Sequence, residues 1–347
     1  MQYTEAISQA IDQSMAKDGN VIIMGLGVPD PSGIFGTTVG LQEKYGPNRV
    51  MDLPTSENGM TGVLVGCALS GIRPIMIHHR VDFSLLAMEQ ICTQSAKWHY
   101  TFGGEGVPLV IRMIIGRGWG QGPQHSQSLQ ALFAHFPGIK VVMPATPYDV
   151  KGLFISSVED NNPVIFLEHR WLHYTFGEVP EEMYRVPIGK AKIAREGKDV
   201  TVTASSQTVI EALKCASVLE KVGIDVEVVD LRTLRPLDCD TIVKSVKKTG
   251  HLFTIDTAWS TYGTNAEVLA IVTERALSSL KKPPVRLGLK DCPTPASPPL
   301  AHAYYPNAED LARAICETLA KSMDNIDFKA LRPAYVDIPD KNFTGPF

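Results

Sequence analysis

The chain has 347 residues with 33 basic against 37 acidic side chains, a formal charge of −4, and a mean hydropathy near zero, enough apolar material for a sizeable core and a length that suits two domains. No block of like charge marks a nucleic-acid or membrane-surface partner, no apolar run is long enough to span a bilayer, and the six cysteines are far apart with no CxxC, so neither a zinc site nor a redox pair is signalled. The N-terminal MQYTEAISQAIDQSMAKDG lacks a signal peptide's apolar core and a transit peptide's acid-poor character, so buried free thiols in a reducing cytoplasm are expected.

That first segment is an amphipathic helix pattern, and after it the sequence alternates helix-like stretches with short β-rich runs: NVIIMGLGV (20–28), RPIMIHH (73–79), PLVIRMI (108–114), IKVVMPA (139–145) and PVIFLEH (163–169). Continuous apolar runs of this kind suit strands covered on both faces, as in a parallel sheet with helical crossovers. The first half therefore reads as a doubly wound α/β domain over 1–185. A polar bridge, GEVPEEMYRVPIGKAKIAREGKD (177–199), supplies a linker at 186–199. The alternation restarts with VTVTASS (200–206), a helix through Leu219, DVEVVDLR (225–232), a helix to Lys248, and HLFTIDT (251–257). This second α/β domain is placed at 200–325, with the Pro-rich DCPTPASPPL (291–300) as a loop and an extended tail at 326–347. No internal repeat is visible.

Two stretches carry candidate chemistry. In DLPTSENGMTGVLVGCALSG (52–71), Glu57 stands at the mouth of an apolar helix pattern punctuated by Gly59, Gly62, Gly66 and Gly71. The acid is either favoured there by the helix dipole or aimed at a ligand, and the glycines permit close packing against another backbone. In RGWGQGPQHSQS (117–128), polar and Gly positions surround His125 directly after a strand, where loops at strand carboxyl ends build binding sites. His125, like His135 in FAHFPG, also reads as an ordinary loop histidine. A metal site at His78 and His79 is disfavoured, since neighbours on a strand point to opposite faces. The chain has no P-loop, no GxSxG elbow, no HExxH, and no GxGxxG between a strand and a helix.

The order of motifs is itself informative. DLPTSENGMTG, GIRPIM followed by VDF, MEQICTQSAKWHY, GPQHSQS, FAHFPGIKVVMPATPYDVKGL, EDNNPVIFLE, GEVPEE, VPIGKA, GKDVTV, VDLRTLRPLD and VKSVKKTGHLFTID run collinearly over roughly residues 3 to 320. Together they closely resemble the β subunit of the thiamine-diphosphate-dependent first component of 2-oxo acid dehydrogenase complexes, of the pyruvate, branched-chain and acetoin type. The resemblance implies two doubly wound α/β domains, a pyrimidine-binding fold followed by a transketolase C-terminal-like domain used for subunit contact and docking of the second component. It implies that Glu57, the acid of the SE motif, hydrogen-bonds the aminopyrimidine ring and drives it to the imino tautomer that deprotonates the thiazolium carbon. Chemically that needs a carboxyl in a water-poor pocket able to exchange a proton with a ring nitrogen. Phe83 matches the aromatic on that ring, and His79 falls where members often have Met or Gln. His125 matches the HSQ histidine facing substrate and lipoyl acceptor. The backbone carbonyls of Leu109, Ser157, Asp160 and Asn162 fall where many members hold a structural potassium ion.

The GDG motif with a following NN that members use for the diphosphate and Mg²⁺ is absent, so the resemblance implies half an active site, completed by a separate α subunit in an α₂β₂ heterotetramer. The implied activity is oxidative decarboxylation of a 2-oxo acid with acyl transfer to a lipoyl-bearing acyltransferase component. Two other readings stand beside it: a thiamine-diphosphate-dependent acyl or ketol transferase to a small acceptor, and a non-catalytic scaffold. The chain departs from the pattern in GLGV, where Leu26 and Gly27 replace an expected acid, and in Ile77 followed by His78, His79 and Arg80. The exchange of acids for His and Arg leads us to expect a more cationic pocket and a more anionic substrate or acceptor, or a specialised paralogue. Neither His302 nor any cysteine is assigned catalysis.

Overall fold

A computed structural model describes residues 1–332 apart from 105 and 119, together with 335, 337–339 and 343. Ten residues of the tail expected at 326–347, all after 332, therefore lie outside the described residues, as does Trp119 of the Gly-rich segment. All five apolar runs of the first half contain strands: β1 (Val21–Gly25), β3 (Arg73–His78), β4 (Val110–Ile115), β5 (Lys140–Val142) and β6 (Val164–His169). A two-residue strand, β2 (Val50–Met51), precedes β3. The second half contributes β7 (Lys192–Arg195), β8 (Val200–Ala204), β9 (Val226–Asp230), β10 (Thr233–Arg235), β11 (Leu252–Trp259) and β12 (Val285–Leu289).

The first sheet has seven strands in the order β10-β5-β6-β4-β3-β1-β2, parallel except for β10. Its strands are buried on both faces, as their unbroken apolar text requires. Ile75, Ile77, Val110 and Ile114 pack beneath the helices Tyr3–Lys17 and Pro147–Glu159. Met76, Ile111 and Met113 pack on the other face with Leu64, Val65 and Ala68 of the Glu57–Leu69 helix. The second sheet runs β12-β11-β8-β9-β7, parallel except for β7.

Two elements differ from the sequence reading. Lys192–Arg195, inside the expected linker, is an edge strand, because Ile193 pairs antiparallel with Val229 of β9. β10 leaves the second unit to pair with Val141 and Val142 of β5, so one sheet contains strands from both halves. The halves are further tied by an Arg232–Asp149 ion pair and by Gln130 Nε2, which donates to Asp256 Oδ1 at 2.7 Å. The Pro-rich segment also ends in structure: Pro298–Tyr304 is a short helix with prolines in its first turn.

Candidate active site

In an open α/β sheet the crevice forms where neighbouring strands depart in opposite directions, outside their carboxyl ends. β1 is that strand here, with β2 on one side and β3 on the other. Leu26 follows β1, and His79 follows β3. His79 Nε2–H donates to the Leu26 carbonyl at 2.7 Å and closes the floor of the crevice. Above it opens a cavity of about 220 Å³ whose walls include Glu57, Met60, His78, His79, Phe83 and His125. Glu57, His79, Phe83 and His125, drawn from three separate stretches of the sequence, thus line one cavity.

Each arrives there for a local reason. Glu57 is the first residue of the thirteen-residue Glu57–Leu69 helix, where the backbone dipole favours a carboxylate. It is half-buried at the cavity wall, and no hydrogen bond or ion pair among the described residues takes up its carboxylate. Phe83 lies in the 3₁₀ stretch Val81–Ala87 after β3. His125 caps the short turn Gly122–Gln124, and its ring meets Phe83 edge to face at 5.5 Å. The two loops are joined by residues the sequence reading passed over: Gln127 Nε2 donates to Asp82 Oδ1 at 2.8 Å. Asp82 and Gln127 each sit within two residues of a candidate, inside the quoted VDF and HSQ motifs, which was the available signal.

His78 is the other residue missed, dismissed with its neighbour as an improbable metal ligand. It faces the cavity from the sheet, 5 % exposed, with Nε2 unpartnered among the described residues. Burial, followed by the charge of His79, pushes its pKa down to about 4, so the ring is neutral at physiological pH. Burial lowers that of His79 as well, against the Leu26 hydrogen bond. Arg80 turns away: it is fully buried and donates to Gly116 O at 3.2 Å and to Gln121 Oε1. The expected cationic pocket is therefore corrected. Two neutral imidazoles and an outward-turned guanidinium add no positive charge to the cavity wall.

The acid missing at 26 and 27 also has a structural counterpart. Gly27, at φ +72°, donates its N–H to Asp52 Oδ1 at 2.9 Å, and a Cβ there would stand 3.0 Å from Asp30 Oδ2. Asp30 and Asp52 thus hold carboxylates around a turn that leaves little room for a side chain. Among Gly59, Gly62, Gly66 and Gly71, Gly62 meets the Gln90 side chain, with 3.2 Å to a built Cβ, and Gly59 meets only Ser56 Oγ at the helix's own N-cap, with 3.0 Å. Gly59 and Gly66 lie on an exposed face, so the close backbone approach expected of them is not made within this chain.

Leu109, Ser157, Asp160 and Asn162 gather at the opposite end of the sheet, before β4 and β6. The Leu109 carbonyl accepts from Val164 N at 2.9 Å, and Ser157 O from Asp160 N at 3.3 Å. Arg73 Nη1 donates to Asp160 O and Val158 O, both at 3.0 Å. Among the described residues no cluster of three His, Cys, Asp or Glu side chains could hold a metal. A larger cleft of about 990 Å³ lies between the two halves and includes His135, Tyr262 and Glu267, but none of the residues singled out as catalytic.

With this geometry in place, comparison with known proteins is direct. Residues 1–174 match the transketolase pyrimidine-binding domain and residues 189–311 the transketolase C-terminal domain. The chain is 42% identical over 325 residues to the β subunit of the acetoin:2,6-dichlorophenolindophenol oxidoreductase of Cupriavidus necator, covering 90% of this chain and 96% of that one. It is 41% identical over 326 residues to the pyruvate dehydrogenase E1 β subunit of Bacillus subtilis, covering 93% and 99%. With the mitochondrial pyruvate dehydrogenase E1 β subunit of Bos taurus it shares 40% over 321 residues, covering 91% and 89%. Its backbone superposes on a split-gene transketolase, solved as an inactive β4 tetramer, with a TM-score of 0.76 at 23% identity over 92% of this chain and 99% of that one, a likeness of fold.

Proposed function

This chain belongs to the family of β subunits of the pyruvate and acetoin dehydrogenase first components, and from that premise we propose that it is one half of a thiamine-diphosphate-dependent 2-oxo acid dehydrogenase. A separate α subunit completes the site in an α₂β₂ heterotetramer, in a cytoplasmic setting that suits six free thiols. The acyl group leaves to a lipoyl-bearing second component. The observation that carries this reading is the meeting of Glu57, His79, Phe83 and His125 at one crevice.

The cavity suits an aminopyrimidine ring. A free carboxyl, an orphaned buried imidazole nitrogen on His78 and a flanking phenyl ring form a donor, acceptor and stacking set for a flat heterocycle. Thiamine diphosphate, when bound, supplies the electron sink for losing carbon dioxide from a 2-oxo acid. Glu57 would present its carboxyl to a ring nitrogen of the bound cofactor as proton donor and acceptor, in a surrounding kept apolar by Leu53, Met60 and Met76. His79, its Nε2–H committed to Leu26, presents Nδ1 as an acceptor only. His125 donates to the substrate's carbonyl oxygen and moves protons during acyl transfer, steadied by the edge of Phe83. Mg²⁺ and the diphosphate fall to the α subunit. A potassium ion on the carbonyls of Leu109, Ser157, Asp160 and Asn162 would be structural, remote from the chemistry.

Glu57→Gln tests the assignment, since the amide keeps the shape and cannot hold the exchangeable proton. Dye reduction by the intact heterotetramer across a panel of 2-oxo acids should fall by roughly 10²- to 10⁴-fold. Unchanged turnover in a correctly assembled variant removes Glu57 from this role.

A further inference from the structure

The loop that carries His125 is gripped from outside the pyrimidine-binding unit, and the grip centres on Arg117. This residue is 7% exposed and stands at the start of the loop, two positions after β4. Its guanidinium lies 4.4 Å from the ring centroid of Trp171 and 3.9 Å from that of Tyr305. Trp171 belongs to the turn after β6, Tyr305 to the end of the Pro298–Tyr304 helix of the second unit. Arg117 Nη1 donates to Ala301 O at 2.9 Å and stands 3.3 Å from Asp337 Oδ1. Trp171 Nε1 returns a hydrogen bond to the Arg117 carbonyl at 2.7 Å.

The same segment of the second unit touches the loop further along. Tyr305 Oη donates to the carbonyl of Ser126, the residue after His125, at 3.4 Å. Built Cβ atoms at Gly120 and Gly122 would fall 2.9 Å from Ala296 O and 3.3 Å from Ala296 Cβ, so the Pro-rich segment lies directly on the loop. From inside, Arg80 holds Gly116 O and Gln121. A planar guanidinium between two aromatic faces, with a carboxylate at its edge, is a rigid arrangement that a flexible ammonium cannot reproduce.

Resting on the reading of His125 given above, we infer that Arg117 and Tyr305 are positioning residues for the substrate-facing histidine, so that the C-terminal unit sets the reactivity of a site to which it contributes no group. The pair fixes both ends of the segment from 117 to 126, and His125 is thereby presented against Phe83. A group held this way contributes chiefly to the transition state, where a displacement of about an ångström costs up to roughly a hundredfold.

The test uses the reconstituted heterotetramer carrying Arg117→Lys, Tyr305→Leu or both. Arg117→Lys should lower kcat for the best 2-oxo acid by roughly ten- to a hundredfold, with KM and the dissociation constant for thiamine diphosphate, read by tryptophan quenching, within about twofold. Tyr305→Leu should do the same, and the double variant should be little worse than either single one, because the two act as a unit. Unchanged kcat in Arg117→Lys, cofactor affinity lost in step with kcat, or additive effects in the double variant each overturn the inference. An inert wild-type heterotetramer with every 2-oxo acid overturns the functional reading beneath it as well.

Discussion

Burial disfavours the charged form of an imidazole, and His78 is the instance that faces the candidate site. Its pKa of about 4 in the folded protein stands against 6.5 when exposed, chiefly through burial. The unfolded chain therefore binds more protons between those values, and stability attached to this residue is lost as pH falls from 6.5 toward 4. At pH 5 the loss is about 2 kcal/mol. His78→Phe removes the titration, so the drop in melting temperature of the cofactor-free heterotetramer between pH 7 and pH 5 should be smaller in the variant. Parallel slopes would show that His78 is not buried in the assembled protein. Glu57, Phe83 and His125 could be singled out because each sits in a motif that carries the family resemblance, and all three line one cavity. His78 was not singled out, because strand periodicity says which face a residue takes but not what that face adjoins. The same limit hid Arg80, whose place in a run of three basic or titratable residues suggested a cationic wall, while the backbone turned it toward Gly116.

Parallel strands buried on both faces announce themselves as unbroken apolar runs, which is why the strands of the first half other than β2 could be read directly. β2 and β10, two and three residues long, are too short to show any period, and β7 owes its existence to pairing with β9 rather than to its own text. The helix Pro147–Glu159 is capped at its start, where Thr146 Oγ1 accepts from Asp149 N. Its last turn lies beside the carbonyls of Leu109, Ser157, Asp160 and Asn162, of which Arg73 already holds one. An ion there would tie this helix to β4 and β6 without touching the cavity. Exchanging potassium for choline at constant ionic strength should then lower the heterotetramer's melting temperature by a few degrees while leaving cofactor affinity within about twofold, a shift that corresponds to about 1 kcal/mol. Equal melting temperatures in the two salts would show that Arg73 and the backbone N–H groups satisfy these carbonyls on their own.

At the scale of the molecule, the two-unit organisation was readable from the restart of βα alternation, but the coupling between units was not, since no local pattern reports that β10 crosses into the other sheet or that Tyr305 reaches Ser126. The proposed division of the site between two subunits accords with both sequence and structure. The cavity of about 220 Å³ is smaller than the ~300–1,000 Å³ usual for a whole small-molecule site. Apolar side chains near it are left in water: Leu26 is 51% exposed, Val63, on the helix that Glu57 begins, 50%, and Leu86, three residues past Phe83, 65%. Such exposure is what a surface covered by another subunit would leave on this chain alone. On the proposed reading the chain supplies the ring pocket, its sequence has no GDG motif for the diphosphate, and a partner subunit supplies most of the cofactor's contacts. Isothermal titration should therefore find thiamine diphosphate binding to the isolated chain at least roughly a hundredfold more weakly than to the heterotetramer, about 2.7 kcal/mol, even with Mg²⁺ present. Equal affinity would mean that this chain holds the whole cofactor by itself, and the division of the site between two subunits would have to be abandoned.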